Sequence, residues 1–195
     1  KLTDYSKFDN LTQDSDDDND VTITEPTQEA AAPPPSKPLG GAIVRDEASG
    51  RFRFQFRGHT VYEFEQSLDD VTIYVLPPPY ITKGNQIRCV ISANHFKLGL
   101  VGHGTGPEQQ WFLNEATFGT VDVDESTWTL EDHDQNNQKV IVVVLTKANR
   151  GTIWEAALKG NPGVVSAATM DAVSIEQVKK DLLLERFGEE NPGFD

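Results

Sequence analysis

The sequence predicts an all-β fold, an antiparallel β-sandwich followed by a C-terminal helix. Three observations carry this. Between residues 51 and 145 apolar side chains recur at every second position, the period at which a strand alternates its side chains between two faces. The alternating stretches are short and are separated by turn-forming residues such as Gly58, Leu68-Asp69-Asp70 and Pro77 to Pro79. Helical spacing is absent until Ser174.

Taken in order, Arg51-Phe52-Arg53-Phe54-Gln55-Phe56-Arg57 sets aromatics on one side and arginines on the other. That is the pattern of an edge strand whose charged face discourages pairing with another chain. Val61 to Gln66 alternates again, and the turn at Leu68-Asp69-Asp70 leads into Val71 to Leu76. Pro77 to Pro79 stop that strand, because proline has no N–H to give to a ladder. Gln86 to Ser92 and Lys97 to Val101 follow, hinged at Ala93-Asn94. Gly102 to Pro107 reads as a loop, and Gln110 to Leu113 and Thr117 to Val123 as shorter strands.

The arrangement centres on a hairpin. Ser126 to Leu130 alternates apolar residues with hydroxyls, and Asp134-Gln135-Asn136-Asn137 supplies a polar loop. Lys139 to Leu145 is rich in β-branched residues and apolar on both faces, as a strand in the middle of a packed sheet requires. A basic exit loop follows, Thr146 to Gly151, and then Trp154 with Leu158 one helical turn on. Gly160-Asn161-Pro162-Gly163 reads as a linker. Ser174, with Gln177 three residues later, resembles a capping box opening a helix that runs to about Phe187 and stops at Gly188. Ile175, Val178 and Leu182 make one stripe, widened by Leu183 and Phe187. It either packs back on the sandwich or is offered to a partner.

The expected organisation is a tail over residues 1–40, the sandwich over 51–158, and linker plus helix over 159–195. The tail is acidic, with Asp14-Ser15-Asp16-Asp17-Asp18-Asn19-Asp20 and an alanine and proline run from Ala30 to Pro35. So little apolar area cannot offset the entropy of ordering, and the prolines favour an extended spacer. Tyr5, Phe8 and Leu11 are either a short motif that folds on a partner or isolated apolar residues. Ser15 has the acidic surroundings of a phosphorylation site.

The formal net charge of −14 over 195 residues repels phosphate backbones and anionic membranes, which argues against a nucleic acid partner or a membrane surface. The single cysteine, Cys89, builds no disulfide framework, so a reducing, cytoplasmic setting is expected. No apolar run approaches the roughly 20 residues needed to cross a bilayer.

Several stretches together resemble a known family. These are Tyr62-x-Phe64-x-Gln66-x-Leu68-Asp69-Asp70-Val71, Leu76-Pro77, Leu98-x-x-Val101-Gly102, Trp128-Thr129-Leu130-Glu131-Asp132 and Leu145-Thr146-Lys147. In this order they resemble the CS domain of the NudC family, which usually carries tryptophan where this chain has Phe64. The stretch Leu184 to Asp195 is similar to the tail of a NudC-like member. The resemblance covers roughly residues 60–195. It implies a sandwich of seven or eight strands like that of the small co-chaperones of the ninety-kilodalton heat-shock chaperone. It also implies a non-enzymatic role in stabilising clients, among them β-propeller proteins of the dynein pathway such as the lissencephaly protein.

The residues themselves offer no catalytic constellation. His59, His95, His103 and His133 are scattered without the spacing of a metal site, so no metal and no cofactor is expected. Cys89 sits in an alternating strand with Arg88 on the opposite face and reads as an inert thiol. Gly102-His103-Gly104-Thr105-Gly106 lacks the lysine and helix of a phosphate-binding loop. Asp122, Asp124 and Glu125 fall short of the six or more oxygens of a calcium site and read as a solvated turn.

A binding surface is the better expectation. Lys147, Asn149, Arg150 and Trp154 cluster after the strongest strand, and cations beside an exposed aromatic are common hot-spot material. In co-chaperones of the resembled type this region contributes partner contacts. Trp154 can equally plug the open end of the sandwich. Lys83, Arg88 and Lys97 extend a basic patch on one sheet face whose side the sequence leaves open. Trp128 reads as core. The expected function is a monomeric client-binding co-chaperone. The alternative is a scaffold or adaptor presenting the motif at Tyr5 to Leu11 and the C-terminal helix.

Overall fold

In the computed structural model alternating burial runs along nine strands and builds two antiparallel sheets, with the structure describing residues 41–102, 111–133, 138–160 and 168–193. The acidic tail, His103 and the glycine-rich loop beyond Gly102, the turn Asp134 to Asn137 and the linker from Asn161 lie outside the described residues. The strands are β1 (Ala42–Arg45), β2 (Phe52–Phe56), β3 (His59–Gln66), β4 (Asp70–Val75), β5 (Ile87–Ser92), β6 (His95–Leu100), β7 (Trp111–Ala116), β8 (Val121–His133) and β9 (Gln138–Lys147). Their order is β1-β2-β3-β4-β9-β8 in the larger sheet and β5-β6-β7 in the smaller. One helix, α1 (Ala172–Glu190), follows.

The core lies between the sheets. Register brings Phe52, Phe64, Ile73, Val143 and Trp128 into one row across β2, β3, β4, β9 and β8. Phe64, Ile73 and Val143 in the middle of that row are wholly buried. Phe96, Leu98 and Leu113 of the smaller sheet close over this surface. Each such side chain contributes about 1.5–3 kcal/mol by leaving water. Trp128, at the outer strand of the row, is only partly buried against the core.

Four features depart from the sequence expectation. Strand β1 precedes the expected start of the sandwich and pairs with β2, so β2 is an inner strand. Its arginines do not guard an edge. Arg53 binds Glu63 at 2.8 Å and Asp46 at 2.9 Å, and the Arg51 guanidinium lies 3.6 Å from the Tyr74 ring centroid. Next, β8 is one long strand where two were expected. A bulge between Asp122 and Thr127 absorbs the acidic residues, and the Ser126 hydroxyl bridges it, accepting from the Thr146 N–H at 3.0 Å.

The helix also starts and stops differently. Asp171 caps it, its carboxylate accepting from the Ser174 N–H at 2.8 Å, because an aspartate at that place offers the acceptor one turn earlier than Ser174 could. Gly188 does not end it. The backbone N–H and Nδ2 of Asn191 both donate to the Phe187 carbonyl at 3.0 Å, satisfying the terminal turn beyond the glycine. Val178 and Leu182 are buried in the core cluster, so the stripe packs back on the sandwich, while Leu183 stays 67% exposed.

Candidate functional site

The predicted hot spot after β9 is folded inward. Lys147 is only 5% exposed and Trp154 only 2%. The Lys147 ammonium donates to the Gln66 Oε1 at 3.2 Å, the Ser67 carbonyl at 2.6 Å and the Thr152 carbonyl at 2.9 Å. Three acceptors meet its three donors. Burial lowers its pKa from the ordinary 10.5 to about 8, against the opposing pull of Glu185, Asp70 and Asp69. Gln66 also holds the tryptophan's backbone, accepting from the Trp154 N–H at 2.9 Å and donating to its carbonyl at 2.8 Å. The Trp154 ring packs beside Phe118, its neighbour Gly119 leaving room for the indole. Lys147 and Trp154 therefore clamp the exit segment to β3. Of the two roles open to Trp154, the structure shows the plug.

Asn149 and Arg150 remain exposed in that loop. Arg150 is committed to carboxylates on two elements, Asp69 before β4 and Glu189 of α1, which hold its pKa above the ordinary guanidinium range. It tethers the helix to the sandwich. Lys83 is exposed ahead of a short 3-10 turn, Gly84–Gln86, outside the sheets.

Arg88 and Lys97 do come together, around a residue that the sequence reading passed over. Both project from the outer face of the smaller sheet and flank Trp111, Arg88 with its guanidinium 5.0 Å and Lys97 with its ammonium 5.8 Å from the indole ring centroid. A bulge in β7 puts Trp111 there. Leu113 and Glu115 face inward and are buried, so strict alternation would carry Trp111 inward as well. Register slips between Leu98 and Gly99, which leaves Phe112 as a surplus residue and pairs Trp111 with Gly99. The indole is thereby re-aimed to the outer face. Gly99 lies opposite both Arg88 and Trp111, so the middle position of that row puts no side chain of its own between indole and guanidinium. Phe112 itself, 59% exposed, turns to an apolar groove of about 420 Å³ shared with Leu76, Pro77, Leu98, Leu100 and Ile141. A glycine inside an apolar strand was the one signal for this place in the sequence.

Among the described residues the groups able to do chemistry are isolated. Burial pushes the Cys89 thiol up to about 12, which keeps it protonated and unreactive. Glu115 is a buried carboxyl whose Oε2 makes no hydrogen bond among the described residues, and burial raises its pKa. The His95 Nε2 pairs with the Asn114 Oδ1 at 2.8 Å. Among the described residues no group of His, Cys, Asp and Glu has the arrangement of a metal site. No helix there is long and apolar enough to cross a membrane.

Residues 60–147, from within β3 to the end of β9, match the CS domain family. NudC domain-containing protein 2 of Homo sapiens is 33% identical to the chain over 135 residues, which is 68% of this chain and 74% of that protein. The chain belongs to the NudC family. A second relative, Protein BOBBER 2 of Arabidopsis thaliana, is 27% identical over 163 residues, covering 69% of this chain and 52% of that one. The crystal structure of NudC domain-containing protein 2 from Mus musculus aligns over 81% of this chain and 98% of that chain at 26% identity, with a TM-score of 0.28. Strands β1 and β2 precede the residues matched to the CS domain, and in this NudC-family chain they widen the larger sheet. Phe64, at the position where the family resemblance places tryptophan, fills the centre of the core with no exposed surface.

Proposed function

We propose that this chain is a co-chaperone that stabilises client proteins by surface binding, with no turnover of its own. Membership of the NudC family supports this reading, and the observation that carries it is the outer face of the smaller sheet, where Arg88 and Lys97 both lie over the Trp111 ring. An aromatic held by two cations on a rigid sheet presents a large contact area at little entropic cost. It acts in the cytoplasm, as a monomer, with the ninety-kilodalton heat-shock chaperone. Its clients are β-propeller proteins of the dynein pathway. Arg88 and Lys97 contact the partner directly, with Asn149, Arg150 and Lys83 as outlying exposed contacts, while Lys147 and Trp154 hold the fold beneath.

The test is light scattering from a thermally unfolding client, such as citrate synthase, with the chain added at equal concentration and no ATP. Suppressed aggregation supports the proposal, and scattering unchanged across several clients overturns it. A second reading, the scaffold or adaptor presenting the motif at Tyr5 to Leu11 together with α1, draws on the exposed Val173, Leu183 and Leu184 of that helix. Removing residues 1–40 separates the two, since an adaptor loses its partner and a co-chaperone keeps its effect on the client.

A further inference from the structure

The larger sheet ends in two unlike strands. At one side β1 has four residues, and its Arg45 reaches Asp181 of α1 at 3.8 Å. At the other side β8 has 13 residues. Its first part is engaged: the Val121 N–H donates to the Ala93 carbonyl at 2.7 Å, and the bulge between Asp122 and Thr127 bends the chain. From Thr127 to Asp132 it runs in unbroken register with β9 on one side, and among the described residues no strand pairs with its other side. Every second residue there turns its N–H and C=O away from β9. Native sheets blunt such an edge with lysine, proline or a bulge, and Thr127 to Asp132 holds none of the three.

We propose that this edge, from Thr127 to Asp132, takes up a basic extended segment of a partner protein as an added strand. The surface is separate from the outer face of the smaller sheet, and the inference goes beyond the client-binding reading. Hydrogen bonds to the free edge hold the segment's backbone. Its side chains alternate, as those of β8 do. Half lie next to Trp128 and Leu130, which are partly buried against the core and suit apolar neighbours. The others stand beside the exposed Thr129 and Glu131. Charge decides what those others are. β8 carries five carboxylates, Asp122, Asp124, Glu125, Glu131 and Asp132, and no lysine or arginine. Lys139 answers Asp132 at 2.5 Å, whereas the Thr129 hydroxyl donates to Glu131 at 2.6 Å and leaves its charge in place. Opposite charges facing each other across a strand pair attract, and like charges repel. A lysine or arginine is therefore favoured opposite Glu131, with Asp124 and Glu125 of the bulge adding to the same field. These acids turn away a second copy of β8, which would set carboxylate against carboxylate. At about 3.3 Å per residue the edge is about 20 Å long and takes about six residues of the segment.

The test uses the full chain and a fluorescein-labelled peptide of alternating lysine and valine, followed by fluorescence anisotropy. Comparison probes are a glutamate–valine peptide of equal length and two N-methylated forms of the basic peptide, one methylated at its valines and one at its lysines. Only one set of its N–H groups can point at β8, so one methylated form binds about tenfold or more weaker and the other does not. Glu125→Lys/Glu131→Lys weakens binding of the basic peptide about tenfold or more. Glu176→Lys/Glu190→Lys, the same change of charge on α1, leaves it within about twofold. Amide hydrogen exchange over residues 127–132 slows when the peptide binds. A urea titration of each variant separates lost binding from lost folding.

No binding of the basic peptide, equal losses in the two charge-reversal doubles, or unaltered binding of both methylated forms overturns the assignment. So does a glutamate–valine peptide that binds as tightly. A dimer in sedimentation velocity that excess basic peptide dissociates gives the edge to a second copy and overturns it too. The two proposals fail separately. Aggregation suppressed by a chain that ignores the basic peptide removes the added strand and leaves the co-chaperone. Peptide bound along residues 127–132 by a chain without effect on heated clients does the reverse.

Discussion

Arg88 and Trp111 meet across a strand to which neither belongs, the guanidinium carbon 5.0 Å from the indole centroid with Gly99 of β6 in register between them. A side chain at position 99 would rise from the same face into that gap. Gly99→Val therefore parts the pair while adding a residue that suits a strand. The expected outcome is weaker suppression of client aggregation, with stability in urea lowered by less than the roughly 2 kcal/mol typical of a core lesion. Light scattering from a heated client and urea titration on the same preparation check it.

Lys147 gives the fold a pH dependence of known sign. Its folded-state value of about 8 lies below the ordinary 10.5, so between them the unfolded chain holds a proton that the folded chain has released. Its contribution to stability then grows as pH rises through that window, and is smallest below about 8. Lys147→Met lacks the effect and leaves buried acceptors unpaired, at about 1–3 kcal/mol near neutrality. The wild type's advantage over the variant should widen between about pH 7 and about pH 10 in paired urea titrations.

Gly119 approaches the buried indole so closely that an added Cβ would stand 2.6 Å from the Trp154 Nε1. Gly119→Ala is expected to destabilise by about 1–3 kcal/mol, the range for overpacking. Trp154 emission, read in a Trp111→Phe/Trp128→Phe background because the chain has three tryptophans, red-shifts as the ring is displaced and reports it independently of the unfolding midpoint.

Much of this was legible in the sequence, and the particular residues say why. Lys139 to Leu145 announces an inner strand because valine and isoleucine on both faces have no other economical place, and β9 is paired on both sides, with β4 and β8, one strand in from the edge of the larger sheet. The short strand Ala42–Arg45 was not legible, since only Ile43 of its four residues is buried and one residue makes no period. At the site, residue type pointed to Lys147 and Trp154, whereas burial turned both inward. Nothing local separates a tryptophan that packs from one that binds. Trp111 was hidden for the opposite reason, because counting by twos from Leu113 places it inside, and the slip at Phe112 exists only in the pairing of β7 with β6.

The two flanks of α1 should respond differently. Leu182 is 5% exposed and Leu184 is 69% exposed. Leu182→Ala should cost about 2–5 kcal/mol, and Leu184→Ala should stay within about 0.5 kcal/mol of the wild type. Chemical denaturation followed by far-ultraviolet circular dichroism decides it.

Glu115 carries the opposite pH sign to Lys147. Burial raises its folded-state value above the ordinary 4.5, so protonation favours the folded chain and stability is lost as pH climbs through that raised value. Glu115→Gln removes the buried charge. The variant should unfold at higher urea than the wild type at neutral pH, with the difference shrinking on acidification.

The surplus residue in β7 makes the length of that strand a condition of what lies over the neighbouring groove. Deleting Phe112 would join Trp111 directly to Leu113, keep the indole opposite Gly99 on the outer face, and remove the ring that turns to Leu76 and Leu100. One added peptide unit thus lets a single strand dress two separate surfaces.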